Sequence, residues 1–442
     1  MAERIFETES LCPECLEKIP AFYEKENGKV YLKKTCRDHG SYRVLVWSDA
    51  DQYLRWSEQS VHAAKAGSGS RTEKGCPFDC GLCKEHEGGT CTAVLEITYQ
   101  CDMECRVCFA DTKKARYNPP LEKVMEMYRT AYRNGGHCSI QLSGGEPTMR
   151  EDLADILEMG KELGFPHIQV NTNGVKIARS IEYLQSLKEA GADLIYLQFD
   201  GTREEIYQTI RGRSMWEIKR QAVANCEKAG IGIILVPTIV RKINDDNIGG
   251  IIEFAKEHMP TVKGVHFQPV SYFGRFPGEA PKDGDRMNLS DIIYELQKQT
   301  KGEIKIEDIV PRKRYDPHCA FSSLYYLSEE GMLQSLTEEK QNMSWDKKTD
   351  FAKKTNAFTN ARWRMPKESE NKTKAAAMSS FVERLRNYTL SITGMGFQDV
   401  WNIDTGRLKG CCVHVVTADN RVAPLCAFHV TSNNGERLYK NE

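Results

Sequence analysis

No apolar run in this sequence approaches the roughly eighteen residues that a helix needs to cross a bilayer, and hydrophobic residues make up only 40% of the chain. The opening decapeptide MAERIFETES mixes charges of both signs and has no apolar core, so it does not read as a secretory signal. A surplus of either charge is also missing: 61 basic residues face 62 acidic ones, for a formal net charge of −1. That balance argues against a stable electrostatic grip on nucleic acid or on an anionic membrane surface. No internal repeat is evident. A cytoplasmic protein of two or three domains is expected from 442 residues.

Cysteine, by contrast, is abundant, with sixteen residues. Disulfide frameworks belong to short secreted domains, and here the cysteines fall in groups at metal-ligand spacing. The groups are Cys12/Cys15/Cys36, Cys76/Cys80/Cys83/Cys91, Cys101/Cys105/Cys108 and Cys411/Cys412/Cys426. Cys138 and Cys226 stand alone inside element patterns and read as small buried hydrophobes.

Three regions differ in texture. Residues 1–92 form a Cys-rich metal-binding module with short strands at Lys29–Lys33 and Ser41–Trp47 and a linker at Ala63–Arg71, because so little apolar sequence cannot support its own core. Residues 93–275 alternate apolar strands with amphipathic helices. The strands are expected at Ala93–Thr98, Ser139–Ser143, His167–Asn171, Leu194–Phe199, Ile233–Ile239 and Gly264–Val270. Helical spacing of Leu121, Val124, Met125, Tyr128 and Tyr132, and of Leu153, Ile156, Leu157 and Gly160, fills the first gaps. Six such units predict a partial (β/α)6 TIM-like barrel of the α/β class, with its chemistry at the C-terminal strand ends. Residues 276–442 form a C-terminal extension. It carries a charged helical stretch at Thr337–Lys374, read as a solvated face or lid, and strand-like sequence at Cys411–Thr417 and Arg421–Val430.

The chemistry-bearing signal follows the first barrel strand. Cys101, Cys105 and Cys108 stand in CxxxCxxC spacing, so three thiolates are available for three irons of a four-iron cluster and the fourth iron is left open. The rival is a zinc site, which closes with four ligands and favours CxxC pairs. The next strand ends in Ser143-Gly144-Gly145-Glu146-Pro147, where paired glycines permit close backbone approach to a ligand and the glutamate can anchor a cation. Asn173 and Asp200 close the third and fourth strands on the same rim.

The other groups read as accessory centres. Cys76, Cys80, Cys83 and Cys91 offer four thiolates for a second [4Fe–4S] cluster or a single iron or zinc. Cys12, Cys15 and Cys36, with His39, match a tetrahedral zinc or rubredoxin-like iron site. Adjacent Cys411 and Cys412 diverge in extended backbone, so they are unsuited to share one ion. With His414 nearby, and Cys319 and Cys426 as further candidate ligands, one of them serves as a reactive thiol, a hydrogen-atom donor or a ligand to a third cluster; the alternative is chance clustering of buried residues.

Across 93–275 these residues resemble the radical S-adenosylmethionine (SAM) superfamily. The resemblance implies that Cys101, Cys105 and Cys108 hold a [4Fe–4S] cluster whose open iron chelates SAM. It further implies that Gly144, Gly145 and Glu146 position the methionine amino group, that Asn173 and Asp200 contact ribose or carboxylate, and that Phe109 packs on adenine. Together with the N-terminal cysteine groups, the chain is similar over 10–275 to the multi-cluster group that includes archaeal tetraether lipid synthase. The C-terminal Cys411-Cys412 pair departs from that group towards a bacterial branch with cysteine or selenocysteine there. The expected activity is reductive SAM cleavage to a 5′-deoxyadenosyl radical and hydrogen abstraction from an unactivated carbon, followed by C–C or C–S bond formation. A small-molecule or lipid substrate and a ferredoxin- or flavodoxin-type electron donor are expected. Competing readings are peptide or RNA modification by the same chemistry, and a non-catalytic zinc and iron–sulfur scaffold.

Overall fold

The computed structural model describes residues 2–59, 72–87, 89–111, 117–276, 281–312, 316–337, 363, 365, 384–385 and 387–439. The linker expected at Ala63–Arg71 lies outside them, as does nearly all of the charged stretch at Thr337–Lys374.

At the N-terminus, β1 (Glu3–Leu11), β2 (Lys18–Glu26), β3 (Lys29–Cys36) and β4 (Gly40–Trp47) form an antiparallel meander. In a meander the first and third turns lie at the same end of the sheet. That topology brings the Cys12–Cys15 turn beside the Cys36–His39 turn. Helix α1 (Ala50–Ser57) follows, with the Asp49 side chain accepting from the Gln52 amide as its N-cap.

The second sheet begins with β5 (Thr92–Thr98), β6 (Ser139–Gly144), β7 (Ile168–Thr172), β8 (Leu194–Gln198) and β9 (Gly232–Val236). The short β10 (Thr238–Ile239) pairs with β11 (Val262–Pro269). The run expected at Ile233–Ile239 is split because Pro237 has no N–H to give a ladder. Helices α2 (Leu121–Gly135), α3 (Leu153–Glu162), α4 (Val175–Arg179), α5 (Ile181–Glu189), α6 (Glu204–Arg211), α7 (Trp216–Ala229) and α8 (Ile248–Glu257) form the crossovers. β5, β6, β7, β8, β9 and β11 are parallel neighbours in that order, with Val/Ile/Leu-rich sequences buried from end to end.

The remaining residues widen this sheet. After α9 (Leu289–Gln299) come β12 (Val310–Pro311), β13 (Ala320–Leu327), β14 (Leu333–Ser335) and β15 (Thr389–Met395), and then α10 (Thr405–Lys409), β16 (Val413–Val416), β17 (Val422–Pro424) and α11 (Leu425–His429). β15 adds in parallel to β11, and β16 adds in parallel to β5. Eight parallel strands among the described residues therefore replace the six legible in the sequence. The antiparallel β13 and β17 lie outside them. The expected strand over Arg421–Val430 is half strand and half helix, turning at Pro424.

The N-terminal sheet is tied to this body by buried polar bonds. Tyr23 and Thr8 donate to the two Asp404 carboxylate oxygens at 2.6 Å each, and Lys34 donates to the Val400 carbonyl at 2.7 Å. No helix among the described residues is long and apolar enough to cross a membrane.

Candidate active site

β5 runs directly into the cysteine loop, and both ends of that loop are pinned. Gly145 N donates to Thr98 O at 2.7 Å, and Glu146 N to Gln100 O at 2.8 Å. On the far side Cys108 and Arg275 exchange two backbone hydrogen bonds of 2.8 Å. The two glycines serve this closeness to β5: a Cβ on Gly144 would lie 2.2 Å from Thr98 O, and one on Gly145 2.1 Å from Gln100 O. They thus seat the cysteine loop as well as clearing backbone for a ligand.

Cys101, Cys105 and Cys108 line the mouth of a cavity of about 300 Å³, together with Gly144, Gly145, Glu146 and Asn173. Burial pushes the Cys101 thiol up to about 12 and also raises Cys105, against which Arg211 pulls in the other direction. Bare thiols so placed resist ionising until a cation arrives. Their sulfurs do not converge at single-ion distance, since among the described residues only Cys12, Cys15, Cys36 and His39 offer ligand atoms all within 4.8 Å of one another. Three spread thiols at CxxxCxxC spacing suit corners of an iron–sulfur cube.

Glu146 is buried and spends much of its hydrogen-bonding capacity on the rim. One oxygen accepts from Thr148 N, Thr148 Oγ1 and Thr172 Oγ1 at 2.6–3.1 Å, and the other from Asn173 N at 2.6 Å. Only the second oxygen keeps a lone pair for a cationic ligand. Asn173 in turn donates through Nδ2 to Asp102 in the cysteine loop at 2.7 Å. Phe109 is 41% exposed, lines the cavity and meets His429 edge-on at 4.9 Å.

Asp200 corrects the expectation of direct ligand contact. Its fully buried carboxylate is held in a fork by Arg211, at 2.6 and 2.7 Å, and also accepts from Gln198 and from Thr238 N. Arg211 reaches on to the Val107 carbonyl at 3.1 Å and interacts with Cys105. Burial opposes the guanidinium charge, and Asp200 outweighs it, so Arg211 is held firmly protonated. Lys219, wholly buried, donates to Asn173 O at 2.5 Å and to Gln198 at 2.7 Å; burial brings it down to about 7. Sequence reasoning missed both cations. The signal for Lys219 was present, because it shares the apolar face of α7 with Ala222, Val223 and Cys226.

At the N-terminal site, sulfur–nitrogen separations are 3.7 Å for Cys12–His39 and 3.5 Å for Cys36–His39, and Cys15 lies 4.0 Å from Cys36. A tetrahedron with bonds of about 2.3 Å has edges of about 3.7 Å, so these four groups fit one zinc or iron ion.

Cys91 and Cys412 are brought together at the starts of β5 and β16. The two form a disulfide with Cα atoms 5.2 Å apart. Thr92 and Val413 are register partners across β5 and β16, which sets the preceding residues face to face. In this pairing neither sulfur stands as an open thiol. Cys411 is half-buried and donates to Val413 O, while His414 Nδ1 pairs with Thr90 Oγ1 at 2.8 Å. Both sit at the start of β16, beside the start of β5. Seven residues of β5 span roughly 20 Å, so neither reaches the cysteine loop as a direct hydrogen donor. Cys319 accepts from Arg407 at 3.0 Å and Cys426 from Gln398 N at 3.3 Å.

The parallel barrel, the cysteine loop over its mouth and the glycine–glutamate rim define a radical SAM enzyme, and the chain belongs to the radical SAM superfamily, which it matches over residues 95–255. Residues 5–48 match the HMPTM N-terminal zinc ribbon domain. The whole chain is similar to the 7,8-dihydro-6-hydroxymethylpterin dimethyltransferase of Methanocaldococcus jannaschii, at 33% identity over 472 aligned positions, covering 96% of this chain and 93% of that one. The probable GTP 3′,8-cyclase of Methanococcus aeolicus is 23% identical over 253 positions, covering 54% of this chain and 83% of that one. Among solved structures, Streptococcus suis SuiB bound to S-adenosylmethionine aligns with a TM-score of 0.39 at 15% identity, covering 49% of this chain and 47% of that one.

Proposed function

We propose that this enzyme abstracts hydrogen from an unactivated carbon of a substrate seated in the barrel lumen and goes on to form a C–C or C–S bond. The observation that carries this reading is the placement of Cys101, Cys105 and Cys108 at a large cavity whose lining continues along the barrel strands. When bound, the cluster and SAM supply a 5′-deoxyadenosyl radical, the chemistry that protein side chains alone lack. The chain's own residues then hold and orient. The three cysteines anchor the cluster, the free lone pair of Glu146 and the rim carbonyls receive an amino group, and Phe109 offers an aromatic face. Arg211 and Asp200 brace the cysteine loop from beneath, and the strands that enclose the lumen screen the reacting carbon from bulk water.

Residues 1–92 act as the accessory-metal module, 93–275 as the catalytic barrel and 276–442 as the extension that completes the lumen. Cys76, Cys80 and Cys83 hold an auxiliary [4Fe–4S] cluster, and Cys12, Cys15, Cys36 and His39 hold one zinc or iron. Cys319, Cys411 and Cys426 come from separate segments and serve as ligands to a further centre. An electron donor of the ferredoxin or flavodoxin type in a reducing cytoplasm completes the system. The Methanocaldococcus relative is named for placing methyl groups on a pterin, and that outcome falls within the bond-forming class proposed here.

The test presents the reconstituted enzyme, under reductant, with a small-molecule extract from cells grown in deuterated water. Deuterium in the released 5′-deoxyadenosine supports hydrogen abstraction from a carbon of the substrate. Continued release with no deuterium above background would sink the proposal.

A further inference from the structure

Three cysteines leave an iron–sulfur cube one protein ligand short of the usual four. Cys76, Cys80 and Cys83 share the wall of one small cavity, with Asp79, His86 and Lys409 as their polar neighbours. Cys91, the ligand that spacing alone suggests, is not on that wall. Its amide instead donates to Cys412 O at 2.9 Å.

Two of the three polar neighbours are engaged elsewhere. One Asp79 carboxylate oxygen accepts from the amides of Glu73, Lys74 and Gly75 at 2.5–2.8 Å, which ties the side chain to the segment before Cys76. Lys409 pairs with Glu85 at 3.0 Å, and an ammonium has no lone pair to give a metal. His86 differs from both. It is buried, and its amide donates to Cys83 O at 2.9 Å, so a tight turn folds it back over the cysteine segment. On the ring, Nε2 lies 2.9 Å from Cys411 O. A carbonyl can only accept, so Nε2 carries the hydrogen, and the lone pair of the neutral ring is on Nδ1. Nδ1 has no hydrogen-bond partner among the described residues. An imidazole that binds a metal through one nitrogen commonly donates its other N–H to a carbonyl, which fixes the ring and strengthens the lone pair. His86 stands in that arrangement beside three thiols.

We infer that His86, through Nδ1, is the fourth protein ligand of the auxiliary cluster on Cys76, Cys80 and Cys83. The inference rests on the proposed cluster at those cysteines and completes its ligand set. Its consequence is electrical. An imidazole is neutral where a thiolate is charged, so the cube carries one negative charge fewer than an all-cysteine cube and takes up an electron more readily.

The test uses the full-length reconstituted chain with Cys101→Ala and Cys105→Ala, which removes the catalytic cluster, and with nitrogen-15 in its histidines. Pulsed electron paramagnetic resonance of the reduced cluster should show strong coupling to one histidine nitrogen. His86→Cys should abolish that coupling, keep the iron and lower the midpoint potential. On mild oxidation His86→Ala should gain the signal of a three-iron cluster, because the iron that lacks a protein ligand leaves first. Cys91→Ser should change neither the coupling nor the potential. Circular dichroism matching the background chain shows that each variant is folded. Absence of histidine coupling, coupling that survives in His86→Cys, or a three-iron signal gained by Cys91→Ser in place of His86→Ala overturns the inference. Cys76→Ala checks the cluster itself and should lower the iron content. If it does so while the histidine tests fail, the fourth ligand alone is wrong; if iron is unchanged, the underlying cluster assignment falls with it.

Discussion

Replacing Asp200 by asparagine tests how the barrel braces its cysteine loop. The substitution preserves shape but removes the charge that offsets Arg211, and both side chains are buried, at 0% and 8% exposure. Breaking a buried ion pair by neutralising one partner typically costs about 3–5 kcal/mol, because the other charge is left in a medium that solvates it poorly. The upper half of that range is expected, since the carboxylate also accepts from Gln198 and Thr238 N. At about 1.4 kcal/mol per factor of ten, the folding equilibrium should shift by about three to three and a half orders of magnitude. The assay is anaerobic denaturant unfolding of the iron-free chain, read by circular dichroism. Iron retention after reconstitution is measured in parallel, because Arg211 also holds the Val107 carbonyl. A double variant, Asp200→Asn with Arg211→Met, removes the stranded charge and should recover part of the loss. A change below about 1 kcal/mol in the single variant, with full iron retention, would refute the bracing role.

Three other outcomes follow from the same geometry. Gly145→Ala places a methyl group 2.1 Å from Gln100 O; overpacking of this kind costs about 1–3 kcal/mol, so thermal unfolding should occur at lower temperature and catalytic-cluster iron should fall, whereas an unchanged melt would show that the loop yields freely. Glu96 is fully buried and burial raises it from 4.5 to about 7. A carboxyl raised on folding loses stability as pH climbs from about 4.5 through about 7, by roughly 3 kcal/mol in all. Glu96→Gln should therefore be more stable than the parent at pH 8 and no different below pH 4.5, as read by unfolding at the two pH values; equal stability at pH 8 would show that the folded protein solvates or pairs the ionised carboxylate as well as the unfolded chain does. Cys15→Ser should remove about one equivalent of bound zinc or iron per chain, measured by metal analysis, and an unchanged metal count would exclude Cys15 as a ligand.

Periodicity sufficed for the parallel barrel strands because each is a short apolar run framed by an amphipathic helix. The two extra parallel strands were hidden for opposite reasons. β15 offers Thr389–Met395, a mixed run with no adjoining helix pattern, and β16 is four residues long and looked like half of an isolated hairpin. Candidate ligands at fixed local spacing, such as Cys101, Cys105 and Cys108, could be singled out because they share one short loop. The Cys91–Cys412 bond could not, since it depends on β16 returning over 321 residues to pair with β5. Asp200 was correctly placed on the rim, yet its partner Arg211 sits in a helix turn whose charge looks like any solvated residue until the fold buries it. The amide side chains on the lumen wall were invisible as a group for a related reason. Gln141, Gln169 and Gln268 read as polar interruptions within separate strands, and only the closing of the sheet sets them around one space.

The central claim is that Cys101, Cys105 and Cys108 support radical SAM chemistry at the barrel mouth, and its most direct test is release of 5′-deoxyadenosine and methionine from SAM by the anaerobically reconstituted protein under a strong reductant. Release by the parent, and its loss in Cys105→Ala with the N-terminal metal still bound, is the predicted result. No release from a fully iron-loaded parent, or undiminished release from Cys105→Ala, would contradict the account.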